Sequence, residues 1–244
     1  MKLIQFLKLS RSEDREYFND LKVLYLHIGD EFSDQYNYCC DIDNNLLNSI
    51  ADRLSECVFL EEFIFHYGFL GTTNEVDYQI LFESLRHIPK LKKIDISFNR
   101  VGYLDDNGIK ALSAFIATSN LEHINFNEND LNNLSYNNLD VLLNSLVACN
   151  SLQAVCLSNN SLHEVAEDGK FDLVCEFIRR KTKQLDHIEM LYDNIASDRK
   201  EKLDKAFQGK SNVAKFFSTP IAIPKSSSNQ IIQSIPNTPP KCFL

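Results

Sequence analysis

The chain has 244 residues, 44% of them hydrophobic, and a formal net charge of -9 that belongs to the body, because every charged side chain after Asp204 is a lysine. That is enough apolar material for a core, and an acidic body excludes phosphate-backbone binding, which needs Lys and Arg clustered on one face. No nucleic-acid partner is expected; the seven cysteines, without a C-x-x-C pair, fit reduced thiols in a cytoplasmic setting, and no stretch reads as a membrane span or a secretory signal.

In chain order, residues 1–20 read as a degenerate cap, with Ile4, Leu7 and Leu9 as a strand and Ser12 to Asn19 as a short helix. From there a short phrase returns, with an apolar residue at positions one, four and six and Gly, Asn or Asp three residues later. Its copies begin at Leu21, Leu60, Leu91, Leu121, Leu152 and Leu185. Leu91, Ile94, Ile96 and Asn99 line up with Leu121, Ile124, Phe126 and Asn129, and again with Leu152, Val155, Leu157 and Asn160. Positions four and six point to one side of a strand, and positions three, five and seven to the other.

An apolar stripe at helical spacing follows each strand: Ile50, Leu54 and Cys57; Leu81, Leu85 and Ile88; Leu112, Phe115 and Ile116; Leu139, Leu143, Leu146 and Val147; Val174, Phe177 and Ile178; Leu203, Ala206 and Phe207. A unit of one strand and one helix buries too little apolar surface to offset the entropy of ordering it. The units must therefore stack, each covering its neighbour. The column Asn99, Asn129, Asn160 and Asp193 then sits where the chain leaves the strand, placed to satisfy turn N–H and C=O groups of adjacent repeats. Gly29 and Gly68 occupy that column in the first two copies. Residues 21–209 form the stack, about six repeats long; residues 210–244, which hold Pro220, Pro224, Pro236, Pro239, Pro240 and Ser226 to Ser228, are expected to be a flexible basic tail.

The run from Asn99 to Ile116, leading into Leu121, resembles the leucine-rich repeat of the ribonuclease-inhibitor type, whose units pair a strand with a full helix. That resemblance implies an α/β, right-handed leucine-rich-repeat solenoid, a horseshoe arc with parallel strands on the concave face and helices on the convex face. It also implies a non-enzymatic protein-protein interaction module that binds a partner protein through the concave face, an inference by analogy of fold. A stand-alone chain rich in Asn and Lys, without Trp, and with a polar C-terminus is similar to leucine-rich-repeat effectors that intracellular bacteria deliver through type IV secretion. In those proteins a C-terminal segment is the translocation signal, so the resemblance implies passage into a host cytosol. Two alternatives share the fold: a GTPase-activating protein of the Ran-regulator type, for which Arg100 after Asn99 is the candidate loop arginine, and a ubiquitin-ligase substrate adaptor, although no F-box-like segment stands before Leu21.

Parallel strands in register place equivalent positions about 4.8 Å apart, so the concave face can be written out from sequence. Tyr25, His27, Ile28, Ile64, His66, Tyr67 and Phe98 form an aromatic patch, open to a partner or else covered by a tail, loop or cap of the same chain, with Phe32, Tyr36 and Tyr38 on a rim loop spanning Asp30 to Asp41. Further along, Cys156 has Asn125 and Glu189 as lateral neighbours, and His123 and His187 flank Ala154. A thiol near two imidazoles and a carboxylate is material for a nucleophile or a zinc site, but on an open face with diagonal neighbours about 7 Å apart it reads as a coincidental surface cluster. Nucleotide-binding and hydrolase motifs are missing. No catalytic residue, cofactor or metal is expected, and a monomer is.

Overall fold

The computed structural model describes residues 20–27, 43–66, 68, 78–162, 169–181, 184–190 and 196–207. The expected cap, the Asp30 to Asp41 loop and the tail from residue 210 lie outside them, as do Gly29 and Asp193 of the turn column.

Six strands form one parallel sheet in the order of the sequence: β1 (Val23–His27), β2 (Glu62–His66), β3 (Lys93–Asp95), β4 (His123–Asn125), β5 (Ala154–Cys156) and β6 (His187–Glu189). Register follows the repeat position by position, for example Phe63 beside Ile94, Ile94 beside Ile124, Ile124 beside Val155 and Val155 beside Ile188. Among the described residues six helices follow their strands: α1 (Asn44–Leu54), α2 (Gln79–Arg86), α3 (Asp106–Thr118), α4 (Tyr136–Ala148), α5 (Lys170–Lys181) and α6 (Ser197–Ala206). Asp43, Asp105 and Ser135 cap α1, α3 and α4 by accepting hydrogen bonds from Leu46 N, Gly108 N and Asn138 N, which satisfies donors the helices leave free.

Positions four and six of each strand are buried: Leu24 and Leu26, Phe63 and Phe65, Ile94 and Ile96, Ile124 and Phe126, Val155 and Leu157, Ile188 and Met190. They meet the helical stripes in one continuous cluster that also takes in Leu60, Leu91, Leu121, Leu152 and Leu185. Val147 departs from its expected place and is only half-buried. A core that is one layer thick and runs the length of the sheet is what stacked units require, since each alone is open on two sides.

The turns after β3, β4 and β5 are held by the asparagine column. Asn129 Oδ1 accepts from Asn99 N and Val101 N, while its Nδ2 donates to Ile96 O and Asn127 O. Asn160 repeats the pattern, accepting from Asn129 N and Leu131 N and donating to Phe126, Leu157 and Ser158 carbonyls. All three asparagines of this ladder are buried. On either side of each stands a residue in the left-handed region: Phe98 and Arg100, Glu128 and Asp130, Asn159 and Ser161. Such conformations are unfavourable for non-glycine residues, and the buried amide bonds offset that cost.

Towards the N-terminus the ladder ends at Gly68, whose N–H donates to Asn99 Oδ1 at 2.7 Å. A Cβ at Gly68 would lie 2.1 Å from the Phe65 ring, so that ring takes the space an asparagine would need. The departure from the repeat at this position thus has a packing cause.

Candidate functional site

The sheet face opposite the core has two contrasting halves. On the N-terminal half, Tyr25, Ile64, His66 and Phe98 come together as the sequence predicts. The Tyr25 and His66 rings meet edge to face with centroids 5.4 Å apart, and His66 and Phe98 do so at 6.2 Å, the geometry aromatic quadrupoles favour. Tyr25 keeps 37% of its surface exposed, and Ile64, His66 and Phe98 are half-buried. His27 pairs with His66 in backbone register; Ile28, Tyr67, Phe32, Tyr36 and Tyr38 lie outside the described residues.

His66 is fixed from below. Its Nε2 lies 2.9 Å from Asp95 Oδ1 and 3.1 Å from Ser97 Oγ, while the Ser97 hydroxyl and N–H both donate to that same carboxylate oxygen. Burial raises the Asp95 pKa, but the His66 hydrogen bond and charge, together with the two Ser97 donors, more than offset it and hold the carboxyl below its ordinary value. Ser, His and Asp in contact suggest a hydrolytic triad, and the atoms rule that arrangement out. A triad needs the carboxylate on one ring nitrogen and the nucleophile on the other; here both meet Nε2, and the Ser97 hydroxyl hydrogen already belongs to Asp95. Ser97 is also buried.

From Asp95 a hydrogen-bonded chain crosses the sheet. Asn125 Nδ2 donates to Asp95 Oδ2, Asn127 N donates to Asn125 Oδ1, Ser158 N donates to Asn127 Oδ1, and Ser158 Oγ donates to Glu189 Oε1. On this C-terminal half the expectation of a surface cluster is corrected: Cys156 and Glu189 are each only 6% exposed, and Ser158 is 1% exposed. These side chains satisfy one another across strands and therefore pack as a floor. Cys156 Sγ lies 3.7 Å and His187 Nε2 3.9 Å from the same oxygen, Glu189 Oε2.

His123, across Ala154 from His187 in register, is half-buried; burial lowers its pKa, and the charges of Lys93 and His187 add to that against Glu122 and Asp186. Elsewhere, burial first and then Glu56 push the Cys57 thiol up to about 12, and burial with Asp172 pushes Cys175 up to about 11. Both are poor nucleophiles at neutral pH. Arg100 is exposed, in left-handed conformation at the head of the 3-10 turn Val101–Tyr103.

Sequence reasoning missed Lys181. It is fully buried at the end of α5, where its ammonium donates to Cys149 O at 2.7 Å and Gln184 Oε1 at 3.0 Å. Burial lowers its pKa. The signal that separates it from the exposed Arg179 and Arg180 is its spacing, seven residues after Val174 and three after Ile178, which continues the apolar stripe.

Strand order, register and the asparagine ladder decide the architecture. The fold is an α/β leucine-rich-repeat solenoid. No family model matches the sequence, and no curated protein matches it. Among solved structures, the chain is similar to the tropomodulin C-terminal domain of Caenorhabditis elegans, at 17% identity and a TM-score of 0.48 over 66% of this chain and 90% of that one. It is also similar to the leucine-rich repeat-containing protein LegL7 of Legionella pneumophila, at 16% identity and a TM-score of 0.41 over 72% of each chain. The solenoid's own strand and turn geometry establishes the fold without these likenesses. Among the described residues no helix is long and apolar enough to cross a membrane.

Proposed function

We propose that this solenoid is a protein-binding module whose partner docks on the N-terminal half of the strand face. The observation that carries the reading is the run of Tyr25, His66 and Phe98 across three neighbouring strands, left partly open to solvent although each ring offers large apolar area. Rigid aromatic side chains with anchored orientation give binding surface at small entropic cost, and Asp95 and Ser97 supply the anchor for His66. His66, Asp95 and Ser97 hydrogen-bond to one another, an arrangement suited to recognition rather than to bond making.

The test compares the intact chain with a Tyr25→Ser, Phe98→Asn variant in affinity capture, after circular dichroism has matched the two folds. Asparagine is chosen because it tolerates the left-handed backbone of Phe98. Capture of a partner by the intact chain that falls at least tenfold in the variant supports the reading. Equal recovery overturns it and moves the site to another surface.

The context we propose is delivery into a host cell as a bacterial effector, supported by the composition of Ser226 to Leu244, which carries prolines, serines and a lysine and no acidic residue. Deleting that segment should block transfer of a fused reporter from donor bacterium to host while leaving the solenoid's thermal unfolding unchanged. Undiminished transfer would sink the proposal.

A further inference from the structure

We propose that Cys156, His187 and Glu189 form a binding site for a divalent transition metal ion, with Zn2+ the best match to the donors. One ligand atom from each residue lies within 4.8 Å of the other two, and Glu189 Oε2 stands 3.7 Å from the Cys156 sulfur and 3.9 Å from His187 Nε2. Bonds of about 2.0 to 2.3 Å to N, O and S ligands in a tetrahedron put donor atoms roughly 3.3 to 3.8 Å apart, so small rotamer adjustments close the site. Sulfur, imidazole and carboxylate together suit zinc better than calcium or magnesium, which take oxygen.

Three further features are those of a built site. Cys156 and Glu189 are paired in register on adjacent strands, with His187 two residues before Glu189 on β6, so all three side chains share one face and the backbone sets their spacing. Ser158 Oγ donates to Glu189 Oε1, leaving Oε2 towards the thiol and the imidazole, as outer hydrogen bonds orient ligating carboxylates in metal centres. The charges also balance: Cys156 binds as thiolate after giving its proton to solvent, Glu189 binds as carboxylate and His187 binds neutral, so the dication is neutralised where net charge would be costly. Three protein ligands leave a fourth position for water or a donor atom from outside, the pattern of exchangeable zinc sites rather than closed structural ones. Ala154, between His187 and His123 in register, keeps that side of the site free of bulk.

The experiment uses the full chain, stripped with chelator and then titrated with Zn2+ in equilibrium dialysis and with Co2+ under near-ultraviolet absorption. The expected result is one ion per chain, a thiolate-to-cobalt charge-transfer band, at least tenfold weaker binding in Cys156→Ser and in His187→Ala, and a smaller loss in Ser158→Ala. A variant carrying Cys39→Ser, Cys40→Ser and Cys242→Ser should keep both the band and the affinity. Absence of the band in the unsubstituted chain, which needs no variant to fold, overturns the site. So does its survival in Cys156→Ser, or its loss in the triple-serine chain. Ion binding by the chain alone is read without any partner, so this outcome is independent of the docking proposal.

Discussion

The two halves of the strand face start from the same backbone and end with opposite surfaces. At the N-terminal end the face presents Tyr25, His66 and Phe98, whose rings touch edge to face and stay partly open; from Asp95 to Glu189 polar side chains bond across repeats and close into a floor. Side-chain size makes the difference. Tyr25 and Phe98 extend beyond the pleat and cannot be covered by their neighbours, whereas Asn127, Ser158 and Cys156 are short enough to be covered by theirs. A repeat protein can thus hold an open aromatic surface and a hydrogen-bonded polar floor on one sheet, without changing the fold beneath either.

The strongest way to break that contrast is to cut the ladder both halves share. Asn129→Ala removes bonds to Asn99, Val101, Ile96 and Asn127 at a buried position, and should cost about 3 kcal/mol in urea unfolding. If the halves depend on one another, the transition stays single; two separate transitions would show that they unfold independently. Next in size, Lys181→Met strips the Cys149 carbonyl of its charged donor in the C-terminal half, for about 1 to 2 kcal/mol. The chain's tyrosine fluorescence should move with the global transition and not before it.

A pH series probes the N-terminal half alone. Because Asp95 has a folded pKa below its ordinary 3.8, its contribution is complete above that value and is lost as pH falls through the lower folded one. Acid should therefore lower the urea midpoint of the parent more than that of Asp95→Asn once pH falls below 3.8, and equal shifts in the two would show that its partners do not hold the carboxyl down. The smallest effect is expected at the open surface itself. Tyr25→Ser should change stability by less than about 0.5 kcal/mol, and a larger loss would mean that the ring is packed as part of the core.

The solenoid could be read from sequence because its periodicity is a local property. Leu91, Ile94, Ile96 and Asn99 are spaced identically in three copies, and that spacing fixes strand, inward face and turn. The same columns placed Tyr25, Ile64, His66 and Phe98 side by side. What they could not show was depth. The floor around Cys156 and Glu189 is closed by bonds that cross repeats, from Ser158 Oγ to Glu189 Oε1 and from Ser158 N to Asn127 Oδ1, so reading each position separately left it looking open. The link between Ser97, Asp95 and His66 was hidden for the same reason: it joins positions five and seven of one repeat to position seven of the last.

Each ladder asparagine reaches back to the repeat before it. Asn99 holds Gly68 and Phe65, Asn129 holds Asn99 and Ile96, and Asn160 holds Asn129 and Phe126. Among the described residues the stack consequently has a grammar in which the turns at Gly68, Asn99 and Asn129 are each completed by the one that follows. As the chain leaves the ribosome from its N-terminus, each newly made turn keeps its N–H groups unsatisfied until the next asparagine has been added, so synthesis itself supplies the order in which the repeats lock.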